Sequence, residues 1–265
     1  MTLIVGLSLS VLSCAPASEK QTGSEPAKTE DKAVAPPADS QSASARSGRV
    51  SYLNGDARLI EATGRKALKM GDLVSPGQGL QTGSATRLEL SFSDGSRLRV
   101  GPAAEVRFAY QANADHALFE IDKGEVWGNI RPGKRKLVFQ GKHSAAAVLG
   151  TVYNIKVSSE NTCTRVMQGK VGVHLPFALA GKEAEVIDQA PARLTETGGA
   201  SGLQPAKDGD IVVPASQWLQ LSTNQCIIVR ENGKAHVMTF NLDELAKQEE
   251  WLKWNRERDA GLPPH

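Results

Sequence analysis

The segment RLELSFSDGSRLRV, residues 87–100, constrains the fold of this 265-residue chain more than any other. Leu88, Leu90 and Phe92 alternate with Arg87, Glu89 and Ser91. A period of two puts alternate side chains on opposite faces of a strand. After Asp94-Gly95, Leu98 and Val100 continue the apolar set, and Arg97 and Arg99 continue the polar one. Asp-Gly supplies the positive φ angles that a tight hairpin needs. CIIVRENGKAHVMTF repeats the plan around Asn232-Gly233, and further turn signals stand at Asn54-Gly55 and at Gly169 after Gln168. Many short strands at such spacing predict an all-β fold, an antiparallel sandwich or β-roll.

The ends read differently. Residues 1–13 carry no charge and stop at Cys14. As a helix they would reach about 20 Å, against the ~30 Å of a bilayer core. They suit the apolar part of a secretion signal. Val11-Leu12-Ser13-Cys14 resembles the bacterial lipobox, in which the cysteine thiol takes a diacylglyceryl group and becomes the mature N-terminus. The resemblance implies a signal peptide over 1–13, a diacylglycerol and an acyl chain on Cys14, and no residue left in the cytoplasm. Ala15 at the next position matches the sorting rule for the outer membrane, facing the periplasm. An N-terminal core helix with a buried Cys14 is the competing reading. Residues 15–47 hold one large aliphatic side chain, Val34, and no aromatic. Such a stretch cannot offset the entropy of ordering, so residues 14–47 read as a lipidated leash. Its reach is about 30 Å as a coil and roughly 110 Å extended.

Residues 48–230 read as the β domain, 231–240 as a terminal hairpin strand and 241–260 as an amphipathic helix. A net charge of +2 leaves no nucleic-acid footprint over the domain. Beyond Cys14 the cysteines are Cys163 and Cys226. In an oxidising compartment they can pair, closing a loop of roughly 60 residues worth 3–4 kcal/mol in the chain-entropy model. Two separate buried thiols are the alternative.

Within this frame the run MGDLVSPGQGLQTGSATRLELSFSDGSRLRVGPAAEVRF resembles the first half of the FecR-type periplasmic domain. The shared features are Gly71-Asp72, Thr82-Gly83 and Asp94-Gly95-Ser96. The second half continues with Gly124-Glu125-Val126, Gly150-Thr151 and Gly169-Lys170-Val171. The similarity spans residues 48–176 and runs loosely to 230. It implies a fold and names no chemistry.

Catalytic signals are sparse. GQGLQTG lacks the dinucleotide-binding spacing and context, so Gly77 to Gly83 reads as a turn-rich connector. The five histidines form no close ligand pair, and no G-x-S-x-G elbow occurs. No metal and no cofactor beyond the lipid is expected. RPGKRKLVFQGK gathers Arg131, Lys134, Arg135, Lys136 and Lys142. It reads as a solvated hairpin loop or as a docking patch for an anionic glycan, headgroup or acidic protein face. Trp127 and Trp218 read as core. In the C-terminal segment Asn241 reads as a cap, with Glu244 at the capping-box position. Asp243–Lys247 and Glu249–Lys253 read as supporting pairs. Leu242, Leu245, Ala246 and Leu252 share a stripe, and Trp251 and Trp254 fall nearly opposite. That second stripe needs the domain itself, a protein partner or sugar rings.

These features predict a non-catalytic, membrane-tethered FecR-domain lipoprotein that binds or scaffolds an envelope protein or polysaccharide. An accessory sensor acting through a membrane partner is the alternative, and an envelope hydrolase the outside one.

Overall fold

Alternating apolar side chains give eighteen strands among the described residues, most of them short. The structure, a computed structural model, describes residues 47–113, 116–133, 136–174, 198–199 and 218–262. All lie within the unit Pro37–His265. The signal peptide, Cys14 and the leash up to residue 46 lie outside the described residues.

The strands are β1 (Gly48–Asn54), β2 (Ala57–Glu61), β3 (Gly64–Ala67), β4 (Leu73–Val74), β5 (Gly79–Thr82) and β6 (Arg87–Ser91). Then come β7 (Arg97–Val100), β8 (Glu105–Asn113), β9 (His116–Asn129), β10 (Lys136–Gln140), β11 (Ala145–Val148) and β12 (Val152–Val157). The last six are β13 (Asn161–Gln168), β14 (Lys170–His174), β15 (Gly198–Gly199), β16 (Leu219–Ser222), β17 (Gln225–Arg230) and β18 (Ala235–Thr239). Helices α1 (Leu242–Gln248) and α2 (Glu250–Ala260) follow.

Two sheets result. One runs β4-β1-β6-β7-β9-β12-β13-β17-β18. The other runs β3-β2-β5-β8-β9-β10-β11-β14-β16-β15. Strand β9 belongs to both. Its first half pairs with β8 and β10, and from Gly124 onward it pairs with β7 and β12.

Gly124 is the corner. It holds φ +95°, and a Cβ there would stand 2.4 Å from the Ala104 Cβ. Four residues on, Gly128 lies opposite Tyr153, and a Cβ would come within 2.1 Å of the tyrosine ring. One glycine lets the strand change sheets, and the next makes room for the ring.

Among the described residues the pairing is antiparallel with two exceptions, β9–β10 and β15–β16. The first has a physical cause. Because β9 ends in the other sheet, β10 re-enters beside the first residues of β9 and runs the same way.

The inner faces meet in one core. Leu88, Leu90, Leu98 and Val100 point into it, as the alternation predicts. A file of rings crosses it: Phe108 stacks on Phe119 at 4.4 Å, Phe119 on Phe139 at 5.0 Å, and Phe139 meets Tyr153 at 5.1 Å. Each such pair contributes about 0.5–1.5 kcal/mol beyond the area it buries.

The C-terminal segment departs from the single helix expected over 241–260. Glu249 is extended, with φ −111° and ψ 103°, and divides α1 from α2. Asn241 caps α1 as predicted, its side chain accepting from the Asp243 and Glu244 backbone N–H groups. The expected i,i+4 pairs are replaced. Lys247 binds Glu244, Asp243 binds Arg256 across the two helices, and Glu249 turns to Arg165. No helix of the described residues is long and apolar enough to cross a membrane.

Gly124→Ala is expected to destabilise the fold by about 2–4 kcal/mol, from the left-handed backbone and the contact with Ala104. Chemical denaturation at equilibrium measures this. A loss below about 0.5 kcal/mol, the range of neutral surface substitutions, would show that the strand crosses without needing glycine.

Candidate functional site

Residues opposite one another in an antiparallel sheet share a face. One row therefore crosses the outer face of the first sheet: Tyr52, Glu89, Arg99, Trp127, Asn154, Arg165, Cys226 and Met238. This is the face that the alternation assigns to water. At its centre it is dry, because the two helices lie on it. Trp127, Val152 and Met167 of the sheet pack with Ala246, Trp251 and Leu252, and Phe240, Leu242, Leu245 and Trp254 flank them.

Arg99 is fully buried beneath α2. Its Nε lies 2.6 Å from Glu89 Oε2 and its Nη1 lies 2.7 Å from Asp259 Oδ1. The Trp127 indole N–H donates to Asp259 Oδ2 at 2.8 Å. Asn255 offers its side-chain oxygen to Arg99 at 3.3 Å. Glu89 also accepts from Ser51 at 2.8 Å and from Arg258 at 3.4 Å. Burial pushes the Glu89 carboxyl up, but the hydrogen bond and charge of Arg99, with the Ser51 and Arg258 bonds, bring it below its ordinary value.

A second node lies three strands along from Arg99, on β13. Arg165 donates from both terminal nitrogens to the two oxygens of Glu249, each at 3.0 Å. This fork holds the extended residue between the helices. Glu125 stands 3.9 Å from Arg165 and 3.8 Å from Lys156. Burial raises its carboxyl above the usual range, Lys156, Asn154 and Arg165 oppose that, and Glu249 adds repulsion.

Cys163 and Cys226 flank Arg165 on this face. Both are buried free thiols on neighbouring strands. The contact with Cys226 draws the Cys163 thiol down, against burial and with help from Arg165, and leaves Cys226 raised.

The tryptophans do not divide as a continuous helix requires. The break at Glu249 resets the phase, so Trp251 joins Leu252 on the sheet and is buried. Of the surfaces open to the tryptophan stripe, Trp251 takes the domain itself. Trp254 is half-exposed. Its ring lies 5.6 Å from Tyr52 and 5.3 Å from Trp251. The Arg87 and Arg258 guanidinium groups each stand 5.2 Å from its centre, and Arg258 is 4.4 Å from Tyr52. The sequence reading named Trp254 and missed Tyr52, Arg87 and Arg258. Tyr52 and Arg87 sit about 200 and 170 positions away and meet it only through the sheet, whereas Arg258 lies one helical turn on in α2, an i,i+4 neighbour that the helix period alone offers.

Arg131 follows β9, its backbone N–H donating to Ser96 Oγ at 3.1 Å. Lys134, Arg135 and the Lys136 side chain lie outside the described residues. Among the described residues, no group of three or more His, Cys, Asp or Glu side chains gathers as a metal site. Trp127 is buried in the seam, and Trp218 packs with Leu118 and Val138 on the outer face of the other sheet.

The architecture is therefore a two-sheet β-sandwich with a shared strand and a helical cover. Residues 78–172 match the family described as FecR protein. That stretch runs from β5 to β14 and contains the β9 crossing. No curated protein matches the chain. Two crystal structures of a "putative anti-sigma factor" from Parabacteroides distasonis are similar, each at 17% identity and a TM-score of 0.42. The similarity covers 62% of this chain and 60% of each of those.

The Glu89 carboxyl, held below its ordinary 4.5, gives its full contribution above that value and loses it as pH falls through the lower folded value. Glu125 acts oppositely: its raised value makes stability fall as pH rises past 4.5. Glu89→Gln is expected to cost about 1–3 kcal/mol at neutral pH and to flatten the acid limb of Tm against pH. Thermal melts between about pH 3 and about pH 7 decide this. An acid limb unchanged in the variant would place the titration elsewhere.

Proposed function

We propose that the chain is a non-catalytic, membrane-tethered FecR-domain module that binds or scaffolds a protein or polysaccharide of the cell envelope. The contact surface is the half-exposed rim formed by Tyr52, Trp254, Arg87 and Arg258. One observation carries this reading: two aromatic rings and two guanidinium groups gather at the border of a buried seam. Tyr, Trp and Arg dominate binding hot spots because they offer large rigid area and directed charge. The FecR match supports a periplasmic, non-catalytic module. The tether is Cys14, carrying diacylglycerol and an acyl chain, with residues 15–47 as its leash. Arg131, Lys134, Arg135 and Lys136 form a secondary, basic contact for an anionic group.

The same match favours one further reading, an accessory sensor that signals through a membrane partner. The two readings separate in a deletion strain. A sensor alters transcription of a defined regulon. A scaffold co-sediments with envelope polymer and leaves that regulon unchanged.

A photo-crosslinking residue at exposed Lys253 captures the partner in intact cells. Trp254→Ala is expected to weaken that partner by about 2 kcal/mol, roughly thirty-fold in Kd, with the fold retained. Equal capture by the variant would remove the rim from the contact. For the tether, a radiolabelled fatty acid is expected to enter the wild-type chain and to be absent from Cys14→Ser. Label retained in the variant would place the lipid elsewhere.

A further inference from the structure

Cys163 lies on β13 opposite Ile228, and Cys226 lies on β17 opposite Arg165. The two cysteines are therefore diagonal neighbours on one face of adjacent strands. Both are buried, and Met238, opposite Cys226, lies on β18 at the sheet edge and is exposed. We propose that Cys163 and Cys226 form a reversible cross-strand disulfide, a redox-sensitive clasp beneath the Arg165–Glu249 fork.

The chemistry is thiol–disulfide exchange with an exogenous disulfide, either glutathione disulfide or a protein disulfide donor. The Cys163 thiolate attacks one sulfur of the donor. A mixed disulfide forms and the first donor thiolate departs. The Cys226 thiolate then attacks the Cys163 sulfur and expels the second donor thiolate. The protein loses two protons and two electrons, and the donor becomes two thiols. Arg165, beside both sulfurs, favours the thiolate that begins the exchange.

The diagonal placement decides what kind of bond results. Directly opposed residues stand about 4.5–5.5 Å apart between Cβ atoms, and diagonal ones stand farther. An unstrained disulfide needs Cβ atoms about 3.5–4.5 Å apart. Closing the diagonal pulls β13 and β17 together, and strain makes the bond easier to reduce. It is therefore a switch and not a permanent staple. Access follows from position: β17 is covered on one side by a single edge strand, and edge strands open at low cost.

The test uses the full chain carrying Cys14→Ser, which leaves two thiols. It is equilibrated with glutathione buffers of increasing oxidised fraction, quenched in acid, unfolded and alkylated with a mass-tagged maleimide. Both thiols are expected to disappear together in the monomer, with a mass loss of two hydrogens. A β13 peptide should be joined to a β17 peptide, and dithiothreitol should return both thiols. Cys163→Ser is expected to abolish the crosslink with the fold retained by circular dichroism. Two alkylatable thiols after oxidation, or separate glutathione adducts without the crosslink, would overturn the pairing. A bond that persists in fully reduced glutathione would overturn its reversibility.

Discussion

Strand β9 holds the architecture together. It gives its first half to one sheet and its second half to the other, so the hydrogen-bonded surface is continuous through the sandwich corner. The condition is local and steric. A side chain at position 124 would meet Ala104, and one at position 128 would meet Tyr153. The parallel entry of β10 follows from the same crossing. So does the ring file, since Phe119 before the corner and Tyr153 opposite the stretch after it are brought to one core through Phe139.

The second constraint is the burial of charge on the outer face. Arg99, Glu89 and Asp259 come from two strands and a helix far apart in the chain, and they meet where α2 excludes water. A buried ion pair is weak evidence for stability, because desolvating two charges offsets their attraction. Its role here is register. Arg99 receives one carboxylate from the neighbouring strand and one from α2 above, and Trp127 binds the upper one, so α2 seats in one position along the sheet. Arg165 does the same for α1 through the fork with Glu249. A purely apolar seam would let the helices slide.

The strands were legible because each reports itself within a few residues. Period-two alternation around Asp94-Gly95 and Asn232-Gly233 gave the hairpins and the inward set Leu88, Leu90, Leu98 and Val100. The same rule placed Glu89 and Arg99 in water. Alternation states only that two sets face opposite ways, and nothing in RLELSF says that a helix 150 positions later covers the polar set. A single unbroken turn count set Trp251 opposite Leu252. The break depends on Arg165, a strand residue that no local helix rule includes. A signal was present nevertheless: Trp251, Asn255 and Asp259 recur every four residues, a polar-lined seam matching polar groups below. The Tyr52–Trp254 rim was half legible, since Trp254 stood out and its companions did not.

The helical cover also leaves only a border of the outer face accessible. The centre of the outer face is filled by the protein's own helices, and Trp251 is consumed there. What remains is the border, where Trp254 and Tyr52 are half-exposed and Arg87 and Arg258 lean over the rings. Such a border is pre-organised. The arginines are already held over aromatic faces, and Arg258 also touches Glu89. Fixing these side chains before binding removes part of the ordering cost of association, about 0.5–1.5 kcal/mol for each long side chain. The buried Arg99 network thus acts on the rim indirectly, by holding α2 where Trp254 meets Tyr52. A partner that recognises the rim recognises the docked helix, and any event that lifts α2 from the sheet dismantles the contact.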